Sequence, residues 1–177
     1  PESLVYDGTA KEFGATVTLV NGTKAATMTY YDAEGNKLDG APVNAGSYKV
    51  VASFKGDTLH DGVKKPLEKE FTIERADITI TMTPEEGTKF RYDATAKLAT
   101  ATLNTLEGPV ALEVTYKDDK GYKHEEPIKP GKYTATAVFE GNQNYNPVTE
   151  EVKYQIIKAA SSIAFTSEPE SLVYDGT

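Results

Sequence analysis

The stretch NAGSYKVVASFKGD, residues 44–57, predicts a β-strand between two turns. Its apolar residues recur at every second position, namely Tyr48, Val50, Ala52 and Phe54. This is the period of a strand that buries one face. The glycines on either side of the run, and the aspartate after it, are residues that tolerate tight turns. The same pattern returns in KPGKYTATAVFEGN, residues 129–142, so the sequence predicts a repeated β structure.

Two further pairs of segments carry the same repetition. VYDGTAKEF, residues 5–13, is matched by RYDATAKLA, residues 91–99. FTIERA, residues 71–76, is matched by YQIIKA, residues 154–159. A nearly constant period marks a repeat architecture, and the offsets of 83 to 86 residues between these pairs predict two diverged repeats of about 84 residues.

The two ends of the chain extend the repetition. PESLVYDGT occurs at residues 1–9 and again, without a difference, at residues 169–177. The chain is therefore expected to hold two modules and the opening strand of a third repeat, with boundaries at residues 1–76, 77–160 and 161–177.

A strand is expected to be missing from the first module. The second module begins with DITITM, residues 77–82, and this sequence has no equivalent before Pro1. We expect residues 161–177 either to be disordered or to pair, as a donor strand, with the free edge of a neighbouring molecule.

Short alternating runs and turns fill the rest of each repeat. FGATVTLVNG, residues 13–22, and LEVTYKDDKG, residues 112–121, both alternate apolar and polar residues. Roughly seven short strands per repeat, separated by turn residues, predict a β-sandwich, and no helical apolar stripe is present. The expected fold is all-β, with two tandem immunoglobulin-like β-sandwich modules arranged end to end. The alternative is a β-grasp-like module with one short helix.

A tyrosine after each glycine turn sharpens this prediction. In immunoglobulin-like domains, a tyrosine two residues before the second cysteine donates a hydrogen bond to the backbone upstream. Tyr48 with Val50, and Tyr133 with Ala135, reproduce that spacing with apolar residues in place of the cysteine. The alternative is an ordinary edge-strand tyrosine at each position.

Charge and composition exclude several classes of function. The 27 acidic and 19 basic residues give a formal net charge of -8, without a basic cluster, so no nucleic acid partner is expected. The absence of cysteine excludes disulfides, thiolate catalysis and cysteine-ligated metals. No apolar run is long enough to cross a bilayer, and no membrane insertion is expected in this segment.

The candidate catalytic and metal-binding residues form no recognisable site. His60 and His124 occupy non-equivalent positions in the two repeats, and both are expected to be solvated loop residues. Asp32, Glu34 and Asn36 alternate as in a calcium loop, but the glutamate at loop position 12 is missing. An ordinary hairpin turn is expected there. No enzyme activity, catalytic residue, cofactor or metal site is predicted.

An isopeptide crosslink is a further possibility in a cysteine-free sandwich. It requires a buried lysine beside an asparagine or aspartate and a catalytic acid. The lysines near strand ends are Lys11, Lys69, Lys97 and Lys153. The terminal strands carry no asparagine on their apolar face, so no such bond is expected.

Three motifs resemble a known family. They are Y-D-G-T at the start, A-G-x-Y in the middle, and F-x-G-[DN]-x-x-[HY] at the end, as in FKGDTLH and FEGNQNY, residues 54–60 and 139–145. Together they resemble the MBG or YDG domains of bacterial surface proteins, within the bacterial immunoglobulin-like group. The resemblance implies an extracellular, adhesin-type protein of the bacterial cell surface or cell wall, with modules in tandem.

Two positions depart from the motifs. Ala94 stands where the first repeat has Gly8, and His60 stands where the second has Tyr145. Neither position can therefore be an obligatory ligand contact in both repeats.

The join between the repeats bears on function. FTIERADITITM, residues 71–82, has no glycine, proline or long polar stretch, so it leaves the neighbours little room to move. We expect a stiff rod that contacts neighbouring repeats of the same chain and serves as a stalk or spacer, projecting a distal adhesive region. The alternative is an adhesion module that binds a host glycan or glycoprotein, with repetition supplying avidity. The polar outward faces favour the spacer.

Overall fold

The structure, a computed structural model, describes residues 3–166 and 176. Within these residues the regular secondary structure is β-strand throughout. The chain is therefore all-β, and the β-grasp alternative is wrong because the described residues contain no helix.

Five strands lie in the first repeat. They are β1 (Thr16–Leu19), β2 (Gly22–Ala25), β3 (Thr27–Tyr31), β4 (Gly46–Ser53) and β5 (Leu67–Ile73). β1 and β2 form a hairpin, and β3, β4 and β5 form an antiparallel sheet in that order. Val5 bridges Glu74 in parallel, which attaches the opening segment to the end of β5.

Eight strands lie in the second repeat. They are β6 (Ile80–Thr83), β7 (Lys89–Arg91), β8 (Thr100–Thr105), β9 (Gly108–Leu112), β10 (Val114–Asp118), β11 (Lys123–His124), β12 (Gly131–Phe139) and β13 (Val148–Ile157). One sheet has the order β6-β8-β9, and the other has the order β11-β10-β12-β13-β7. β7 runs parallel to β13, with Phe90 opposite Ile156, and every other pair is antiparallel. The two sheets form a β-sandwich.

The predicted period of two is confirmed in the strands that carry the core. In β12, Tyr133, Ala135 and Ala137 are buried. In β4, Val50 and Ala52 are buried. Burial of alternate side chains follows from the pleat, because successive residues point to opposite faces of a sheet.

The hydrophobic core is continuous between the repeats. One buried cluster includes Tyr30 and Phe71 of the first repeat together with Ile80 and Leu103 of the second. A further cluster, around Tyr154, lies within the second repeat alone. The repeats therefore pack directly against each other, which is closer contact than two separate cores on a short linker would give.

Both predicted tyrosine corners are confirmed. The Tyr48 hydroxyl donates to the carbonyl of Asn44 at 2.9 Å, and the Tyr133 hydroxyl donates to the carbonyl of Lys129 at 2.8 Å. The glycine two residues earlier leaves space for each ring, since a Cβ on Gly46 would lie 3.3 Å from the Tyr48 hydroxyl. Burial raises the pKa of both phenols.

Candidate functional site: the junction between the repeats

The segment that connects the two repeats is short. Ile73, at the end of β5, and Ile78 are both buried, and only residues 74–77 lie between them. The Ala76 amide donates to the carbonyl of Asn144 at 2.8 Å, and the Asn146 amide donates to the carbonyl of Ala76 at 2.9 Å. The connecting segment is thus bonded, at its own backbone, to a turn of the second repeat.

That turn is built by the F-x-G-[DN]-x-x-[HY] motif. The Asn142 side-chain carbonyl accepts from the amides of Asn144 and Tyr145, each at 2.9 Å. Gly141 has a φ of 82°, and a Cβ there would lie 3.0 Å from the Tyr145 carbonyl oxygen. The motif therefore needs glycine and an asparagine or aspartate for conformational reasons. Its effect is to hold Asn144 and Tyr145 against the first repeat.

Asn144 binds the first repeat through its side chain. Its carbonyl oxygen accepts from the Ala45 amide at 2.9 Å, and its amide group donates to the side-chain oxygen of Asn44 at 3.1 Å. Because Asn44 also supplies the carbonyl bound by Tyr48, the junction contact joins the tyrosine corner of the first repeat.

Two tyrosines and one glutamate form the other half of the junction. The rings of Tyr6 and Tyr145 meet edge to face, with centroids 5.4 Å apart. Both hydroxyls donate to the Glu107 carboxylate, at 2.9 Å from Tyr6 and 3.3 Å from Tyr145, and the Leu106 amide donates to the Tyr145 hydroxyl at 3.1 Å. Both rings are buried. We call Tyr6, Glu107, Asn144 and Tyr145 the junction clamp.

The electrostatics of the junction clamp favour a charged carboxylate. The hydrogen bond to Glu107, followed by burial, raises the pKa of the Tyr6 phenol. Hydrogen bonds from its own amide and from the Tyr6 hydroxyl lower the pKa of Glu107. The glutamate is therefore an acceptor at neutral pH, and the Tyr6 phenol remains a donor.

The Y-D-G-T motif, which begins at Tyr6, forms a turn. The Asp7 carboxylate accepts from the Thr9 amide at 2.9 Å and from the ammonium group of Lys11 at 2.6 Å. Lys11 is only 3% exposed, and its ammonium group lowers the pKa of Asp7 far below the usual range. Gly8, between them, has a φ of 77°. The motif is a turn closed by an ion pair.

The second repeat builds the same turn. The Asp93 carboxylate accepts from the Thr95 amide at 3.0 Å and from Lys97 at 2.6 Å. Lys11 and Lys97, considered above as crosslinking residues, are thus paired with the aspartates of their own turns. Lys69 lies over the ring of Phe13, with its ammonium nitrogen 5.3 Å from the centroid.

The histidines are less solvated than the sequence predicts. Nδ1 of His60 lies 2.9 Å from the Asp57 carboxylate, and Nε2 of His124 lies 3.1 Å from the Asp118 carboxylate. Their side chains are 16% and 34% exposed, and His124 belongs to β11 rather than to a loop. The expectation of a loop is confirmed for His60 and wrong for His124, and both rings are partly buried because each is held by the aspartate that also closes its turn.

The calcium-like stretch forms a hairpin turn, as expected. Both oxygens of Asp32 accept hydrogen bonds from Asn36, at 2.8 Å from its amide and 3.0 Å from its side chain. Within residues 3–166 and 176, no three His, Asp or Glu side chains come together as metal ligands. The described residues also contain no helix suited to crossing a membrane.

Sequence reasoning missed two members of the junction clamp. Glu107 lies in the β8–β9 turn, where the first repeat has Asn21, and nothing local marks it as a contact. Asn144 occupies a variable position inside the turn motif.

A groove of about 350 Å³ runs beside the junction clamp and is lined from both repeats, with Arg75 and Gln143 among its residues.

Comparison with known proteins agrees with the repeat motifs. A family model described as MBG domain matches residues 3–62 and 76–160, one segment on each side of the junction. No curated protein and no solved structure matches the sequence. Since the match covers most of the chain, the chain belongs to the MBG domain family.

Proposed function

We propose that the chain is a stalk or spacer segment of a bacterial surface protein, forming a stiff rod that projects a distal adhesive region from the cell wall. The MBG domain is a non-enzymatic repeat family, and membership suggests a repeat of a surface protein. The observation that carries the proposal is the bonded junction, in which Ala76 exchanges two backbone hydrogen bonds with the turn at Asn144 and Asn146.

Bending at this junction has a definite cost. It would break the hydrogen bonds of the junction clamp and expose Tyr6 and Tyr145, which are 7% and 5% exposed. Exposing one large buried side chain costs about 1.5–3 kcal/mol. A flexible linker carries no such penalty, so these contacts support a fixed angle between the repeats.

The pairing of the ends of each repeat supports a load-bearing role. In the first repeat, the Tyr6 amide donates to the carbonyl of Glu74 at 2.9 Å, next to the parallel bridge at Val5. In the second, the Tyr92 amide donates to the carbonyl of Ile157 at 2.9 Å, next to the parallel pair of β7 and β13. Tension on the two ends slides parallel strands past each other, so it loads all of their hydrogen bonds together.

The placement of the tyrosines favours the spacer over the adhesion module. Most tyrosines of the described residues are buried, namely Tyr6, Tyr30, Tyr116, Tyr133, Tyr145 and Tyr154. Among those residues, Tyr92 and Tyr122 are the most exposed tyrosines, at 36% and 67%. Glycan recognition by ring stacking needs accessible aromatic faces, and few remain.

Distance measurement between the repeats tests the proposal. Glu34 and Lys120 occupy equivalent exposed turns, and the chain has no native cysteine. A Glu34→Cys/Lys120→Cys protein carrying a spin label at each site should give one narrow distance distribution by pulsed electron resonance. Adding Glu107→Ala and Asn144→Ala should broaden it.

A matched control keeps this experiment specific. Asp119→Ala changes an exposed side chain of the second repeat, away from the junction clamp, and should leave the distribution narrow. A broad distribution in the otherwise unchanged chain would refute the rod. Saturable binding of a host glycan or matrix protein by the same chain would favour the adhesion module instead.

A further inference from the structure

The segment after β13 has the sequence of a first strand. From Phe71 onwards, FTIERADITITMT matches YQIIKAASSIAFT, which starts at Tyr154, at a constant offset. At that offset Ile163 corresponds to Ile80 of β6, and Phe165 to Met82. The two segments differ in exposure, however. Ile80 is 8% exposed, whereas Ile163 and Phe165 are 101% and 89% exposed.

The hairpin of the first repeat has an edge suited to such a strand. In the second repeat, β8 pairs with β9 on one side and with β6 on the other. The β1–β2 hairpin aligns with β8–β9, placing Val17 at the position of Leu103 and Ala15 at that of Ala101. Among the described residues, β1 pairs only with β2. Val17 and Ala15 are partly exposed, whereas Leu103 and Ala101 are each 3% exposed.

A cleft with both apolar and polar lining lies along this edge. It has a volume of about 290 Å³ and runs between β1 and the start of β5. Its lining includes Val17, Phe54, Val63 and Leu67, and two of these, Val63 and Leu67, are 46% and 69% exposed. The cleft therefore holds apolar side chains beside the edge that corresponds to the β8 edge paired with β6 in the second repeat.

We propose that the β1 edge binds residues 162–166 of a second copy of this chain as an added antiparallel strand. Transferring the β6–β8 register places Ile163 opposite Val17 and Phe165 opposite Ala15, with both donor side chains directed into the cleft. Backbone hydrogen bonds supply affinity in strand addition, and alternate side chains supply register. Copies would associate head to tail.

In the proposed pairing, residues 162–166 come from another copy because they cannot reach β1 of their own chain. The chain leaves the first repeat through the junction, after β5, and by the same geometry it leaves the second repeat after β13, at the end away from the junction. The five residues 158–162 span at most about 18 Å. β13 alone, with its 10 residues, is about 33 Å long, so the segment falls short of the first repeat.

Register-specific crosslinking tests the contact directly. Thr16 and Ala164 lie opposite each other in the proposed pairing, and the chain has no cysteine of its own. Mixing isotope-labelled Thr16→Cys protein with unlabelled Ala164→Cys protein under mild oxidation should give a disulfide-linked heterodimer in mass spectrometry. The matched control is Thr23→Cys, on the outer edge of the same hairpin, which should give at least about tenfold less. Equal yields from both pairs would overturn the assignment.

Sedimentation of the full chain supplies an independent test. The mean mass should rise with protein concentration, and Phe165→Asp should weaken association about tenfold or more, since one buried aromatic contact is lost. Ala164→Asp, directed away from the cleft, should weaken it much less. Phe165 is exposed within a single copy, so the unfolding temperature of the monomer should not change. A chain that stays monomeric at millimolar concentration would refute the proposal. The label distances within one chain, which test the rod, do not depend on this result.

Discussion

The two repeats use the same strand pattern but bury it to different degrees. β1 and β8 are equivalent hairpin strands with alternating apolar residues, yet Leu103 of β8 is buried and Val17 of β1 is only partly so. The difference follows from the neighbouring strand, since β6 covers β8 while β1 has no described partner on that side. The alternation of apolar and polar residues therefore determines which face of the sheet a side chain lies on. The neighbouring strand determines whether that face is shielded from solvent.

The largest expected difference lies in the apolar residues of these two strands. Leu103→Ala should lower the free energy of unfolding of the second repeat by about 3 kcal/mol, because it empties a closed core position. Val17→Ala should lower that of the first repeat by about 1 kcal/mol or less, because the site is already partly open to solvent. Both changes in the free energy of unfolding can be measured by urea unfolding, followed by circular dichroism and by the NMR signals of backbone amides in each repeat. Equal losses would contradict the comparison.

The tyrosine corners should differ by a smaller amount. Tyr133 is 5% exposed, whereas Tyr48 is only partly buried, although both donate to a carbonyl four residues upstream. Tyr133→Phe should cost about 1–1.5 kcal/mol, since it removes a part-buried hydrogen bond. Tyr48→Phe should cost about 0.5 kcal/mol, because water can replace the hydroxyl. Thermal unfolding of the two variants checks the order, which would fail if Tyr48→Phe proved the more harmful.

The third position of the Y-D-[GA]-T turn can be exchanged between the repeats by two reciprocal substitutions, Gly8→Ala and Ala94→Gly. Gly8 and Ala94 both have positive φ, at 77° and 63°, where a Cβ is strained. Gly8→Ala should destabilise the first repeat by about 1 kcal/mol. Ala94→Gly should stabilise the second by less than this, since glycine also gains freedom in the unfolded chain. Unfolding temperatures of the two exchanges should move in opposite directions, and a shift of both in the same direction would show that this turn does not control them.

The smallest expected effect is a difference in acid sensitivity between the two F-x-G-[DN] turns. Hydrogen bonds from the Leu59 amide and the His60 ring lower the pKa of Asp57 to about 2, below its ordinary value near 4. A lowered pKa gives stability that is complete above about pH 4 and is lost as the pH falls through about 2. Asn142, at the same position in the second repeat, has no charge to lose.

Amide NMR signals report this difference residue by residue. Those of Leu59 and His60 should shift between pH 4 and pH 2. Asp57→Asn should abolish the shift at Leu59. A shift of the same size in the variant would locate the titration elsewhere.

Much of the fold was predictable because its signals are local. The period of two in residues 48–54 and 133–139 predicted the strands, and the spacing of Tyr48 from Val50 and of Tyr133 from Ala135, after a glycine turn, predicted the corners. Steric limits on φ and the short reach of a side chain act within a few residues, so a sequence displays them directly.

The exposure of the two histidines was predicted incorrectly for a related reason. Each ring is held by an aspartate, Asp57 or Asp118, whose turn is local, but the exposure of the ring depends on the packing around it. His124 also meets the ring of Tyr133 edge to face, with centroids 5.4 Å apart. Sequence spacing alone does not contain that neighbour.

By itself, the sequence determined the all-β class, the two repeats, their turns and their tyrosine corners, because each follows from sterics and hydrogen bonds between residues close in the chain. Only the tertiary structure decided how the repeats meet. The bond from Tyr6 to Glu107 joins residues 101 positions apart, and the bond from Ala45 to Asn144 spans 99. Contacts at that separation depend on how whole sheets pack, and no local pattern encodes them.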